Sequence, residues 1–300
     1  MFLRLIIISI DEFFNSRKLI IFKWEMGLIK NRLKQEWSLG HATLNGWLSI
    51  NSAFTAEIMA NQGYDSVTVD MQHGALDYEG MLSMLQAVRA SGVVPMVRVP
   101  WNHPPDIMKA LDAGAYGIIC PMINCRDEAE AFVRCLRYPP HGDRSFGPTR
   151  ANFSAGKGYA SEASTNICGF AMIETSKAVD NISEITSTDG LDGVYIGPAD
   201  LTLGVTNGRL APGFDRTESE MTTVIMKILD TAKSAGIRAG IHCGSPVYAA
   251  KAIGWGFDFA TLSNDVRILV SGASGMVAEA KRLISGNKKV EMPDNSSEVY

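Results

Sequence analysis

The chain has 300 residues, 46% of them hydrophobic and 20% charged, with a net charge of −4 and a mean hydropathy of +0.03. That is apolar material enough for one large barrel or two ordinary domains, and length alone does not choose between them. The slight acidity gives nucleic acid or an anionic membrane no footing as partner, so a small anionic substrate would have to be met by local cations or a metal.

Residues 3–10 and 19–22 are apolar runs interrupted by Asp11, Glu12, Arg17 and Lys18. Neither is long enough to span a bilayer. Arg4 precedes an apolar run, but no small-residue cleavage pattern follows. Residues 1–25 read as an extension or a mis-called start, with the folded unit opening near Met26. A short amphipathic helix is expected over 26–37, where Leu28, Ile29, Leu33 and Trp37 approach helical spacing. A rhythm follows. The patterning predicts strands over 43–50, 65–70, 94–99 and 117–120, with helices over 53–62, 77–90, 104–113 and 126–136. Asp77 is a good cap, and Pro104 and Pro105 sit where a first turn tolerates proline. Residues 137–159, with YPPHGDRSFGPTRAN, show no sustained period and read as a long loop. Strand five is expected over 169–174 with a helix over 176–187, and strand six over 191–196. A helix over 218–235 is closed by Gly236. Strand seven over 237–242, a helix over 246–254, strand eight over 257–262 and a final helix over 265–284 complete the series, before a polar tail over 286–300.

Eight strands, each followed by a helix, in roughly 250 residues is the pattern of a (β/α)8 TIM barrel. Alternation alone does not demonstrate closure, so a doubly wound sheet stays open. No internal repeat and no Pro/Ser-rich linker divides residues 26–285. The cysteines, Cys120, Cys125, Cys135, Cys168 and Cys243, are odd in number and lack zinc-type pairs. They fit reduced, mostly buried thiols in a cytoplasmic protein.

The unusual polar residues gather at strand ends. Asp70 and His73 follow strand two in YDSVTVDMQHG, Arg98 ends strand three in PMVRVPWN, Glu174 ends strand five in FAMIE, and Asp200 follows strand six in GVYIGPADL. In a barrel, strand C-termini share one rim, where chemistry is placed. Each residue also has a plainer reading. Asp70 would be a capping carboxylate and His73 a surface residue; Glu174 would cap the next helix, and Asp200 would be a turn residue. Two carboxylates brought together repel unless a cation or proton intervenes. A pair with room for water suits Mg²⁺ or Mn²⁺. Arg98 has the fork geometry for a carboxylate. His242, at the end of strand seven, reads as structural or secondary.

Together DMQHG, PMVRVPWN, LDAGAYGIICPMI, RYPPHGDRSFGP, FAMIET and DGVYIGPADL resemble the HpcH/HpaI aldolase family of class II, metal-dependent pyruvate aldolases, in order, from about Met26 to Leu283. The resemblance implies cleavage of a 4-hydroxy-2-oxo acid to pyruvate and an aldehyde. Glu174 and Asp200 match the ligands of a divalent ion (Mg²⁺, Mn²⁺ or Co²⁺). Arg98 matches the arginine on the keto-acid oxygen, His73 the base, and Asp70 an acid near the metal's waters. Asp112, in LDAGA, matches an aspartate that reaches the histidine of a neighbouring subunit. Met172, Pro198 and Ala199 fall in substrate-binding positions. A homo-oligomer, a hexamer built as a trimer of dimers with an exchanged C-terminal helix, is likewise implied. Two departures bear on substrate preference: the family often reads DGEH where this chain has Asp70-Met71-Gln72-His73, and often Gln where it has Met172. The alternatives are a CoA-dependent lyase of the citrate lyase β-chain or malyl-CoA type, for which no nucleotide-binding signature is evident, and a non-catalytic barrel that binds keto acids.

Overall fold

A computed structural model describes residues 30–156 and 158–285. The readings for residues 1–25, for 26–29 and for the tail from 286 lie outside the described residues. Strands β1 (Thr43–Leu48), β2 (Ser66–Asp70), β3 (Val94–Arg98), β4 (Gly117–Cys120), β5 (Cys168–Ile173), β6 (Gly193–Ile196), β7 (Arg238–Cys243) and β8 (Phe259–Leu262) pair in parallel and in chain order. β8 returns to β1, so the barrel is closed and the doubly wound alternative falls. Helices cover the outer face and side chains fill the interior, so both faces are kept from water, which is why the strands are apolar nearly throughout, as in CGFAMI of β5, all six residues of which are buried.

α1 (Arg32–Ser38) leads into β1. α2 (Ala53–Ala60), α3 (Tyr78–Ala90), α4 (Pro104–Asp112) and α5 (Arg126–Leu136) follow the first four strands. α6 (Thr149–Ala155) and α7 (Tyr159–Asn166) precede β5. Beyond it come α8 (Ser176–Asp180), α9 (Ile182–Thr186), α10 (Pro198–Thr206), α11 (Ser219–Ser234), α12 (Pro246–Trp255) and α13 (Asp265–Ser285). The helix starts are chemically marked. Ser52, Asp77, Thr175 and Ser245 each accept a backbone N–H from the first turn of the helix they open.

The barrel interior is aromatic. Phe170 and Phe259 stack with centroids 5.4 Å apart, and Trp37, carried by α1, meets them edge-on at 5.7 and 5.9 Å. Small residues opposite large ones make this possible: a Cβ at Gly193 would lie 2.6 Å from the Phe170 ring. Trp37 donates its Nε1–H to Thr43 Oγ1 at 2.9 Å, so α1 is fixed across the N-terminal end. Nearer the C-terminal rim the filling turns polar, with Asn45, Thr68 and Thr261 all buried.

Three expectations need correction. The stretch 137–159 is not one long loop: it contains α6, and Tyr159 already opens α7. Both helices are too short to display a period, and they bury alanines (Ala151, Ala155, Ala163) rather than large apolar residues. The helix expected over 176–187 is two, broken at Asn181, whose amide donates to the Asn124 carbonyl at 2.8 Å. Asp200 sits in the first turn of a helix, α10, rather than in a turn, because Pro198 occupies the first helical position. The five cysteines are all free and four are buried. No helix among the described residues is long and apolar enough to cross a membrane.

Candidate active site

Strand pairing builds the first part of the site. Asp70 and Arg98 end adjacent strands and are partners in the β2–β3 register. Arg98 donates Nε–H to Asp70 Oδ1 at 2.8 Å and Nη2–H to Oδ2 at 2.6 Å, a two-pronged ion pair. Trp47, near the end of β1, donates its indole N–H to the same Oδ2 at 3.2 Å and lies against the Arg98 guanidinium, 4.8 Å from Cζ to ring centroid. The backbone N–H groups of Gln72 and His73 complete the shell on Oδ1. Burial, the largest single influence, would raise the Asp70 carboxyl, but the bonds and charge of Arg98 together with the His73 and Trp47 N–H bonds outweigh it and leave Asp70 below the ordinary carboxylate range. With Nε and Nη2 committed, Arg98 Nη1 makes no hydrogen bond among the described residues, and Arg98 lines a cavity of about 360 Å³ at the rim.

β5 and β6 supply the second part. Glu174, 3% exposed, accepts the Met122 backbone N–H on Oε1 at 2.7 Å. Its other oxygen lies beside Gly197, just past β6: a Cβ at that position would lie 2.9 Å from Oε2. Asp200 lines the cavity and makes no hydrogen bond or ion pair among the described residues. Burial, reinforced by the Asp200 charge, pushes the Glu174 carboxyl up to about 7 despite the Met122 N–H and Arg98. Among the described residues no group of three or more His, Cys, Asp or Glu gathers as a metal cage. A carboxylate pair with free oxygens and an open side fits a hard divalent ion that keeps several waters, and does not fit a closed zinc site.

His73 is exposed at the rim and lines the cavity, with its ring free of partners among the described residues. Asp70 accepts the Gln72 and His73 backbone N–H groups within the turn that follows β2, while the next helix is capped by Asp77. Met172 and Ala199 line the cavity, whereas Pro198 is buried and does not. Asp112 lies outside it, as the last residue of α4, which runs back from the rim; its Oδ1 accepts from the buried Arg144 at 2.6 Å.

Sequence reading missed Trp47, Tyr195 and Phe214 as cavity residues and underweighted His242, which lines it too. The signal for His242 was period-two alternation. Gly240, two residues earlier, faces Tyr195 and Phe259 inside the barrel, so His242 faces the same way one step nearer the rim.

The model of the HpcH/HpaI aldolase/citrate lyase family matches residues 44–271. A hydroxypyruvate/pyruvate aldolase of Rhizorhabdus wittichii is 44% identical over 253 residues, spanning 84% of this chain and 100% of the relative. A 4-hydroxy-2-oxo-heptane-1,7-dioate aldolase of Salmonella heidelberg is 31% identical over 265 residues, spanning 86% of this chain and 98% of its own. The crystal structure of an HpcH/HpaI aldolase/citrate lyase family protein from Burkholderia cenocepacia J2315 superposes with a TM-score of 0.77 at 31% identity, covering 84% of this chain and 99% of that one.

Proposed function

The chain belongs to the HpcH/HpaI aldolase/citrate lyase family and is an aldolase, and from that premise we propose that it cleaves a 4-hydroxy-2-oxo acid to pyruvate and an aldehyde with Arg98, His73, Glu174 and Asp200 as its working residues. The observation that carries this reading is an arginine clamp held by Asp70 on the same cavity as Asp200, with Glu174 near enough for the Asp200 charge to help raise its carboxyl.

Glu174 and Asp200 would hold Mg²⁺, Mn²⁺ or Co²⁺, which when bound supplies Lewis-acid polarisation of the keto acid. Arg98, braced by Asp70 and Trp47, presents Nη1–H to the substrate oxygen on which negative charge develops, and being already fixed it need not reorganise. His73 takes the proton from the 4-hydroxyl. The oxygen's electrons form the aldehyde carbonyl, the C3–C4 bond breaks, and its electron pair passes to the enolate of pyruvate. The proton then returns to C3. Met172 and Ala199 form apolar wall beside the keto acid.

Asp112 belongs to the same proposal as a residue that acts across a subunit interface, within a hexamer built as a trimer of dimers. The support is its position at the end of α4 and the exposed apolar residues of α13. A cytoplasmic location is supported by five unpaired thiols.

The test is pyruvate release from a panel of 4-hydroxy-2-oxo acids after chelation and with Mg²⁺, Mn²⁺ or Co²⁺ restored. Turnover is expected only with metal. Glu174→Gln and Asp200→Asn should lose at least about 10²-fold in kcat/KM, and His73→Ala about 10²–10⁴-fold in kcat with KM little changed. Full activity of the chelated enzyme, or of either carboxylate variant, would remove the site; preferential turnover of an acyl-CoA would move the chain to the lyase class.

A further inference from the structure

His242 is 7% exposed, its ring lines the cavity, and its Nε2 is buried without a hydrogen-bond partner among the described residues. Buried polar atoms in native proteins are nearly always paired, so an orphan beside a ligand cavity calls for a partner from the ligand. The ring is not at liberty to turn away. Phe214 stacks on it with centroids 4.6 Å apart, Trp47 meets it edge-on at 5.0 Å, and Nδ1 lies 3.2 Å from the Tyr195 hydroxyl. Tyr195 donates to Thr261 Oγ1 at 2.6 Å, Thr261 accepts from Asn45 Nδ2 at 2.9 Å, and Asn45 Oδ1 accepts from Ser66 and Thr68 at 2.8 and 3.0 Å. These side chains satisfy one another through the barrel interior and fix one nitrogen of the ring, leaving the other without a partner among the described residues. Packing alone would be served by an apolar ring in the same aromatic box, with no orphaned atom.

We propose that His242 is a specificity-determining residue whose Nε2 hydrogen-bonds a hydroxyl on the substrate's carbon chain, so that the pocket selects hydroxylated substrates over their plain counterparts. With Tyr195 donating to Thr261, the tyrosine oxygen accepts from Nδ1–H and Nε2 presents a lone pair. A hydroxyl satisfies that lone pair, and it satisfies the opposite tautomer equally because it both donates and accepts; a hydrogen or methyl satisfies neither. Burial first, then the positive charges of Arg98 and Arg267, hold the imidazole down at about 3 against the opposing pull of Asp70. The ring therefore meets the ligand neutral and offers a directed bond rather than a charge, which leaves the substrate carboxylate to other groups. The hydroxyl belongs either to the 2-oxo acid half, at C3, or to the aldehyde half.

This inference rests on the aldolase reading, and the experiment separates the two. In excess Mg²⁺, kcat/KM is compared for hydroxypyruvate against pyruvate with acetaldehyde as common acceptor, and for glycolaldehyde against acetaldehyde with pyruvate as common donor. At least one ratio should favour the hydroxylated compound by about ten-fold, collapse towards one in His242→Phe, and recover in part in His242→Gln. The arm that moves tells which half carries the hydroxyl. Ratios unchanged within about two-fold in His242→Phe overturn the assignment. Should that variant not fold, the ¹⁵N shifts of the His242 ring in the unmodified protein decide: they should respond to the hydroxylated compound and not to its plain counterpart, and an equal response overturns the proposal. Absence of turnover with every pair in the unmodified enzyme would sink the aldolase reading instead, while the ring shifts still report on His242.

Discussion

Glu174 is a carboxyl group almost sealed from water and placed beside a second carboxylate, two conditions that both penalise its charge. Its titration near 7 instead of near 4.5 has a consequence for stability with a definite sign. Below about pH 4.5 the group is protonated in both the native and unfolded states and contributes nothing. Between 4.5 and 7 the unfolded chain ionises while the native protein keeps its proton, so the metal-free protein loses stability as pH rises through that window, by at most about 3 kcal/mol. Above 7 the loss is complete and flat. A divalent ion held by the pair would take the place of the proton and remove the penalty. Urea unfolding in EDTA from pH 5 to 8 should therefore show a decline that Glu174→Gln abolishes, and Mg²⁺ should stabilise more at pH 8 than at pH 5; an identical slope in the variant would contradict this assignment. Sequence made Glu174 visible because a charged residue directly after FAMI interrupts an apolar run. It could not make Trp47, Tyr195 or Phe214 visible: aromatic residues among apolar neighbours read as core, and only register reveals which of them end at the rim.

At the scale of elements, the eight strands and their ends were legible because each buried strand is a short apolar run between turn signals. What stayed hidden were elements whose existence depends on contacts made elsewhere, such as α6, α7 and the break at Asn181. The joint between α13 and β1 is another such contact. Asp265, 3% exposed, opens α13 and accepts the backbone N–H groups of Ser49 at 2.9 Å and Ile50 at 3.0 Å, as well as Val266 in its own first turn at 2.8 Å. One carboxylate thus fastens the last helix to the segment that follows the first strand, and Ser49 in that segment lines the cavity. Asp265→Ala leaves those donors without their charged acceptor and should cost about 2–4 kcal/mol in urea unfolding. Asp265→Asn keeps one acceptor oxygen and should cost about half as much. A loss below about 0.5 kcal/mol for the alanine variant would mean that water replaces the carboxylate freely, and that the joint does not hold the rim.

Across the whole molecule, the feature least explained by a single chain is α13. It runs for 21 residues, yet Asp265 alone of them is buried. Leu269 is 64% exposed, Val270 60%, Met276 77% and Val277 53%. A helix of this length reaches about 30 Å. Helices in water draw most of their stability from packing an apolar face, and this one has its apolar residues in solvent. A contiguous apolar surface of that kind marks an association site. On the proposed homo-oligomer, a second copy of the same chain would cover this surface and give Asp112 something to do, since Asp112 lies outside its own cavity with one carboxylate oxygen on Arg144. Light scattering at micromolar concentration should give a mass several times the 32.6 kDa of the chain, about 196 kDa for a hexamer, closed point-group symmetry being the usual form of such assemblies. Leu269→Glu combined with Met276→Glu places charge where an apolar partner surface is required and should shift the protein to smaller species. If Asp112 works across that interface, activity should fall with the mass, and Asp112→Asn should lower activity while leaving the mass unchanged. A fully active, monodisperse 32.6-kDa species at the same concentration would show that α13 packs on nothing and that each barrel carries a complete site.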